Sequence, residues 1–193
     1  KISTKSAVQR VVSIYPDLDA VVFSSGVQHQ FDFTKPESVD LDKLETELLT
    51  NYTSVTRMTS FLPHLLKLSQ GRPSLLVPIT SSLAIVPGPW VPNYSATKAA
   101  LHSFALSLDV QLHGTNVHVA EIFPPLVESE LHDHQGTTPR LSKVWMPLTQ
   151  FTAEGLQSGA VRVPVGVARG TWDPFEKGKL EKMGESFKRI TSL

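Results

Sequence analysis

Four short apolar runs alternate with helical segments along this chain, and the alternation limits the possible folds more than any other feature. The runs cover residues 19–24, 74–80, 117–123 and 162–168. Short continuous apolar runs are typical of strands buried on both faces. Helical spacing of apolar residues or helix-start signals predicts helices at residues 3–14, 42–69, 93–114, 142–158 and 173–189. The pattern predicts an α/β fold, an open parallel sheet of about four strands with helices on both faces.

Two prolines bear on these elements. Pro63 falls late in the helix at residues 42–69, where it predicts a kink. Pro78 lies within the run 74–80, and proline is awkward in a central strand because it lacks a backbone donor. The sequence contains no internal repeat and no linker, so a single domain is predicted over residues 1–193.

Composition removes several classes of function. Eighteen basic residues balance eighteen acidic ones, which gives no indication of a nucleic-acid or membrane-surface patch. The chain has no cysteine, so it can form neither disulfides nor thiolate metal sites. No apolar stretch approaches the length of a membrane span, and the N-terminus does not look like a signal peptide. A soluble, cytoplasmic protein is expected.

Chemically useful side chains follow the predicted strands. Ser24 follows the first run, Ser81 follows the second, and residues 124–129 follow the third. Ligands of parallel sheets bind at the carboxyl ends of the strands. Tyr94 and Lys98 are four residues apart on one helix and therefore share a face. An ammonium beside a phenol is expected to lower the phenol's pKa from about 10 towards neutrality, so that the phenol can exchange a proton.

The sequence around these residues resembles the active-site region of the short-chain dehydrogenase/reductase family. The matching stretch runs from Ile79 to Ser81, continues at Pro87, and includes residues 93–100 with Tyr94 and Lys98. In that family a serine precedes the catalytic tyrosine by this same interval. The resemblance implies a three-layer Rossmann-like fold, of which this chain would be the C-terminal part. It also implies a catalytic group, consisting of Ser81, Tyr94, Lys98 and Asn51.

The resemblance further implies contacts to NADP or NAD, with Lys98 on the nicotinamide ribose and Ser129 where a threonine commonly contacts the carboxamide. The other implied cofactor contacts are Ser24, Gly26, Pro124 and Val127. Two motifs depart from the family pattern. Residues 23–26 read Phe-Ser-Ser-Gly in place of Asn-Asn-Ala-Gly, and Pro125 stands where a glycine is usual.

A third departure is larger. Family members begin with a strand, a Thr-Gly-x-x-x-Gly-x-Gly turn and further strand–helix units, whereas this chain opens at the helix after them. NADP or NAD is therefore expected if such an N-terminal segment is present, and no cofactor is expected for this chain alone. A partial chain and a shortened family member stay open as explanations. The missing strands would lie beside the run 19–24, which predicts an exposed apolar edge there.

Three functions remain open. The first is NAD(P)-dependent reduction of a carbonyl or oxidation of an alcohol on a small organic or secondary-metabolite substrate. The second is cofactor-free acid/base chemistry of an isomerase, dehydratase or cyclase, and the third is a non-catalytic binding subunit. Substrate contacts are expected from loops that overhang the Tyr94 site, at Trp90, Leu131 and Trp145.

Assembly and metal binding complete the expectations. The helices at 42–69 and 93–114 correspond to those that pair about a two-fold axis in the family, which implies a homodimer or a higher oligomer. His132, Asp133 and His134 alternate potential ligands but have no third ligand at a useful spacing, so a solvated loop is favoured and no metal site is predicted.

Overall fold

The computed structural model describes residues 3–157 and 161–191, and it contains a parallel sheet flanked by helices. Strand β1 (Ala20–Phe23) pairs with β2 (Ser74–Pro78), which pairs with β3 (Val117–Val119). Strand β4 (Glu121–Phe123) pairs with β5 (Arg162–Pro164). All three strand pairings of the described residues are parallel, as are the two isolated bridges, so the predicted α/β fold is confirmed.

The run 117–123 forms two strands rather than the single strand predicted. Its first half pairs with β2, and its second half turns its hydrogen bonds towards β5. At the junction, the Ala120 amide donates to the Leu76 carbonyl at 2.9 Å, and Ile122 bridges Ile79. The two halves thus continue one path through the middle of the sheet, and they leave Pro124 at its carboxyl end.

The first helices follow their sequence signals unevenly. Helix α1 (Thr4–Ile14) has the predicted bounds, because the Ser3 hydroxyl accepts from the Ser6 amide and caps it. The predicted helix at 42–69 is instead a chain of short segments. These are α2 (Leu41–Leu48), a π-helical turn (Leu49–Thr53), α3 (Ser54–Arg57), a 3₁₀ turn (Met58–Phe61) and α4 (Leu62–Leu68).

Hydroxyl side chains explain much of this interruption. Ser54 donates to the Thr50 carbonyl at 2.6 Å, and Thr59 donates to the Thr56 carbonyl at 2.7 Å. Such bonds compete with the regular helical ladder and bend it. Pro63 lies in the first turn of α4, where its missing N–H costs little, so it opens a segment instead of kinking one.

The helices in the C-terminal half are interrupted more often than predicted. Its helices are α5 (Pro92–Gln111), α6 (Thr138–Leu141), α7 (Leu148–Gln157), α8 (Ala168–Glu176) and α9 (Lys179–Thr191). The predicted strand at 162–168 stops at Pro164, and Gly166 then takes a positive φ of 55° that turns the chain into α8. Gly178, with φ of 79°, divides the predicted last helix. Residue 158, the predicted end of the helix at 142–158, lies outside the described residues.

The hydrophobic core is buried, whereas the outer edge of β1 is exposed to solvent. Leu65, Leu76 and Val119 are almost fully buried between the sheet and helices α1, α4 and α5. Within the described chain β1 pairs only with β2, and Val22 keeps 59% of its surface exposed. This is the apolar edge that the sequence predicted. Among the described residues no helix is long and apolar enough to cross a membrane.

Candidate active site

Tyr94 and Lys98 lie in the first half of α5, which begins at Pro92. Both side chains are buried, with 6% and 4% of their surface exposed. The Lys98 ammonium lies 5.7 Å from the centroid of the Tyr94 ring and donates to the Ile79 carbonyl at 2.8 Å. The bond to Ile79 anchors the lysine to the carboxyl end of β2, so the helix and the strand together fix the pair.

Ser81 reaches the same place from the sheet. It follows β2 in extended backbone, and its hydroxyl accepts from the Leu83 amide at 3.1 Å, which caps the short 3₁₀ helix Ser82–Ala84. The Ser81 side chain also lies close enough to the Tyr94 hydroxyl to lower the pKa of the phenol. A hydroxyl in this position can contact the oxygen of a reacting group that Tyr94 also contacts.

Asn51 is held in the π-helical turn, a distortion that is frequent at functional sites. It is fully buried, accepts from the Val27 amide and donates to the Val27 carbonyl, both at 2.9 Å. It also donates to the Thr97 hydroxyl at 3.1 Å. A Cβ on Gly26 would lie 3.6 Å from Asn51 Oδ1 and 3.7 Å from Lys98 Nζ, so all three residues meet at one point.

The electrostatics of the pair differ from the sequence expectation. Burial raises the pKa of Tyr94 to about 12; the nearby Ser81 side chain opposes this rise, and the charge of Glu47 adds to it. Burial lowers the pKa of Lys98 to about 8. The prediction that Lys98 draws the pKa of Tyr94 towards neutrality is therefore wrong in this structure. The ammonium is bonded to the Ile79 carbonyl and lies over the ring, and burial of the phenol dominates.

These side chains line a cavity of about 450 Å³. The cavity is bounded by three of the four candidate catalytic residues, and Asn51 lies behind Gly26 instead. The remaining predicted residues on its wall are Ser24, Gly26, Pro124, Val127, Ser129, Trp90 and Leu131. Ser129 also accepts from the Leu131 amide, and Trp90 packs on Gly88.

Trp145 is placed differently from the other predicted contacts. It is half-buried after α6, where its amide donates to the Leu141 carbonyl at 3.0 Å, and it is not among the residues that line the cavity. Its neighbour Met146 instead bridges Val127. The loop after β4 thus pairs with Met146, and the described cavity lining does not include the neighbouring Trp145.

Sequence reasoning missed three residues of this region. Glu47 is fully buried beside the site, and Gln28 and His132 line the cavity. Glu47 had a usable signal, because it lies four residues before Asn51 and so shares its helix face. Gln28 lies in a loop and His132 in a short 3₁₀ helix, where no apolar periodicity in the sequence marks the inward side.

His132 also corrects the expectation of a solvated loop at residues 132–134. The side chain is buried in the 3₁₀ helix Glu130–Gln135, and burial lowers the pKa of its imidazole. Across residues 3–157 and 161–191 no group of three or more His, Cys, Asp or Glu side chains could hold a metal ion. Because its pKa is lowered, the His132 imidazole is neutral at pH 7 and forms part of the cavity wall.

Solved structures share this fold. A short chain dehydrogenase from Burkholderia cenocepacia, solved with NADP, matches with a TM-score of 0.72 and 19% identity, covering 98% of this chain and 78% of its own. A 3-oxoacyl (acyl-carrier-protein) reductase from Agrobacterium tumefaciens with NADP bound matches with a TM-score of 0.60 and 26% identity, covering 72% of this chain and 52% of its own.

Curated sequences give the family. The uncharacterized oxidoreductase DltE of Bacillus subtilis is 39% identical over 153 residues, which is 75% of this chain and 58% of DltE. The NADP-dependent 3-hydroxy acid dehydrogenase YdfG of Salmonella typhi is 27% identical over 80% of this chain and 64% of its own. The chain thus spans less than two thirds of these relatives. The sequence profile described as short chain dehydrogenase matches residues 1–139. The chain therefore belongs to the short chain dehydrogenase family.

Proposed function

We propose that this chain carries the catalytic half of an NAD(P)-dependent oxidoreductase that interconverts a carbonyl and an alcohol on a small organic substrate. One observation supports this most directly. A phenol, an ammonium and a serine hydroxyl are buried together on one cavity wall, and Ser81 lies close enough to Tyr94 to influence the pKa of the phenol. The function is proposed for the chain acting with a glycine-rich phosphate-binding turn, which residues 1–193 do not contain.

The residues present fit the nicotinamide end of such a cofactor. Gly26 leaves an open approach beside Asn51 and Lys98, because the glycine has no Cβ to fill that space. Lys98 would bind the nicotinamide ribose, and Ser129 would contact the carboxamide. The other proposed contacts are Ser24, Gly26, Pro124 and Val127. When bound, the dinucleotide supplies or accepts the hydride.

The protein side chains handle the proton. With its pKa raised to about 12, Tyr94 keeps its proton at neutral pH, which is the form needed to protonate the oxygen of a carbonyl under reduction. Ser81 orients that oxygen by a second hydrogen bond. Lys98, whose pKa is about 8, is mostly charged at pH 7 and stabilises the phenolate that remains after proton transfer. The Trp90 and Leu131 side chains would bound the substrate.

Two other functions remain as alternatives. Without a dinucleotide, the same phenol and lysine could run acid/base chemistry of an isomerase, dehydratase or cyclase. A non-catalytic binding subunit would need no reactive pair at all, and the burial of both Tyr94 and Lys98 on one wall disfavours it. The balanced charge and the lack of cysteine favour a cytoplasmic location for any of the three.

Nucleotide binding tests the cofactor assignment. We expect the 193-residue chain alone to bind NADH and NADPH negligibly, because helix N-termini and glycine-rich turns supply much of the affinity for the pyrophosphate. Calorimetric titration with each nucleotide measures this. A fusion that places a strand–turn–helix segment with the Thr-Gly-x-x-x-Gly-x-Gly turn before residue 1 is the matched control, and we expect it to bind. A dissociation constant in the low micromolar range for the chain alone would contradict the prediction.

Self-association is proposed through the helical segments from α2 to α4 and through α5. Leu41, Leu48 and Leu49 are 43% to 66% exposed on the first of these, which favours burial against a second copy. We expect light scattering to give at least a dimer at micromolar concentration. The variant Leu49→Glu should shift the distribution towards monomer while circular dichroism stays unchanged. A monodisperse wild-type monomer would count against the proposed contact.

A further inference from the structure

Glu47 is a buried carboxylate outside the catalytic group. It lies in α2 and has no exposed surface. Its Oε1 accepts from the His29 backbone amide at 2.8 Å, and its Oε2 accepts from the Asn93 side-chain amide at 2.5 Å. The same Asn93 amide also donates to the Leu44 carbonyl at 3.2 Å. Burial of a carboxylate is costly unless it is hydrogen-bonded, and here both oxygens are engaged.

The two donors connect Glu47 to both sides of the active site. His29 belongs to the loop after β1, between the cavity-lining residues Gln28 and Gln30. Asn93 precedes Tyr94 in the first turn of α5. A single side chain thus joins the loop that forms one wall of the cavity to the helix turn that carries the phenol.

Among the described residues, little positive charge lies close to Glu47. In the described part of the chain its one ion-pair partner within 4.0 Å is His29, whose Nδ1 lies 3.8 Å away and makes no hydrogen bond. Burial lowers the pKa of His29, and the neighbouring His134 and Lys43 lower it further while Asp40 opposes them. The imidazole is therefore neutral at pH 7, and it leaves the carboxylate charge uncompensated at short range.

We propose that Glu47 is a positioning residue that fixes the first turn of α5 against the loop after β1 and places a negative charge where it holds the proton on Tyr94. The inference rests on the proposed function, since it assigns Glu47 to the proton transfer of that same site. The hydrogen bonds to His29 and Asn93 supply the positioning. The charge disfavours a second anion nearby, so Tyr94 remains a donor until a reacting oxygen draws the proton away.

The electrostatic link is supported from the tyrosine side. The charge of Glu47 raises the pKa of Tyr94, after the larger effect of burial and against the effect of the Ser81 side chain. Lys98 is a second charged group at the phenol, and it lies over the ring. Burial raises the pKa of Glu47 itself, and the bonds from Asn93 and His29 oppose this rise.

Fluorotyrosine spectroscopy tests the proposal without any turnover. Fluorotyrosine ionises at lower pH than tyrosine, so its titration falls where the fold is less at risk. In a Tyr15→Phe, Tyr52→Phe background the single label reports residue 94. We expect Glu47→Gln to lower its ¹⁹F titration midpoint by about one pH unit, which corresponds to the loss of about 1.4 kcal/mol of repulsion between the carboxylate and the phenolate. The exposed neighbour provides the control, and Glu45→Gln should leave the midpoint unchanged.

Two further measurements separate charge from hydrogen bonding. Asn93→Ala removes one donor and keeps the carboxylate, so its midpoint should not fall. An equal fall in Asn93→Ala and Glu47→Gln would overturn the assignment to charge. Should Glu47→Gln fail to fold, the labelled wild-type chain carries the test, because protonation of Glu47 in the acid range should shift the ¹⁹F signal. A signal constant through that range would overturn the proposal, while turnover lost in Tyr94→Phe would still support the proposed function.

Discussion

Replacing Tyr94 with phenylalanine is expected to abolish turnover, with kcat reduced by about 10²- to 10⁴-fold or more, the usual contribution of a positioned proton donor. The substitution removes one hydroxyl from a buried ring and leaves the packing in place. The lost polar interaction with Ser81 should cost at most about 1 kcal/mol, which the fold should tolerate. Activity of the fusion that carries the glycine-rich turn, with NADPH or NADH and a panel of carbonyl substrates, measures the first effect. Circular dichroism of the same protein measures the second.

Two variants calibrate this experiment. Tyr52→Phe makes the same chemical change away from the cavity, so it should keep full activity. Ser81→Ala removes only the second hydrogen bond to the reacting oxygen and should cost less than Tyr94→Phe, on the order of 10²- to 10³-fold. A wild-type rate in Tyr94→Phe would show that this tyrosine is not the acid, and the binding-subunit alternative would then be the better one.

Replacing Lys98 with methionine is expected to lower activity without lowering stability at pH 7. Loss of an ammonium 5.7 Å from the centroid of the Tyr94 ring should cost roughly 3 kcal/mol of phenolate stabilisation at an effective dielectric constant of about 20, or about 10²-fold in rate. Stability should respond differently, because burial lowers the pKa of Lys98 from 10.5 to about 8. The unfolded chain then binds this proton more tightly than the folded chain between those two pH values.

The sign follows from that difference in proton binding. The wild-type free energy of unfolding should rise with pH between about 8 and 10.5, and below pH 8 the buried charge should cost up to about 3 kcal/mol. Lys98→Met removes this cost but leaves the Ile79 carbonyl without its donor, a loss of about 1 to 3 kcal/mol. We therefore expect the variant to be no less stable than wild type at pH 7.

Urea unfolding at neutral and alkaline pH checks this expectation. The exposed Lys67 offers a control, since Lys67→Met should retain the wild-type pH dependence. A Lys98→Met protein whose stability still rises across the same pH window would show that Lys98 is not the titrating group. A Lys98→Met protein that loses activity but keeps the wild-type pH dependence of stability would show that the catalytic role of Lys98 is separate from its effect on folding.

Residue types and spacing sufficed to predict that three of the candidate residues lie on one cavity wall, while their catalytic role stays a prediction. Ser81, Tyr94 and Lys98 could be predicted together because a strand end and one helix turn fix their relative positions. The segments between residues 41 and 68 could not be predicted, because regular apolar spacing hides the competition between hydroxyl and backbone hydrogen bonds. The spacing of apolar residues predicts which side chains share a helix face, but it does not predict where along the chain the regular helix is interrupted.

That limit explains the error in the pKa of Tyr94. An interval of four residues brings Lys98 near the Tyr94 ring, but the direction of the ammonium is set by the Ile79 carbonyl on another element. Burial of the phenol depends on everything packed around it, and Glu47 contributes from a third element. Packing between distant segments of the chain therefore determines whether the pKa of Tyr94 is raised or lowered, and no local sequence pattern predicts that direction.

The π-helical turn at Leu49–Thr53 makes the site sensitive to chain length as well as to side-chain chemistry. Such a turn accommodates one residue more than an α-helical turn does, and each residue of an α-helix advances the helix by about 100°. Deleting one residue there would restore regular winding and swing the preceding helix, with Glu47, by about that angle relative to Asn51 and the segments after it. The site geometry tolerates substitution of the exposed Leu49. Deletion of a single residue in the turn would instead separate the loop at His29 from α5, because Glu47 would no longer link them.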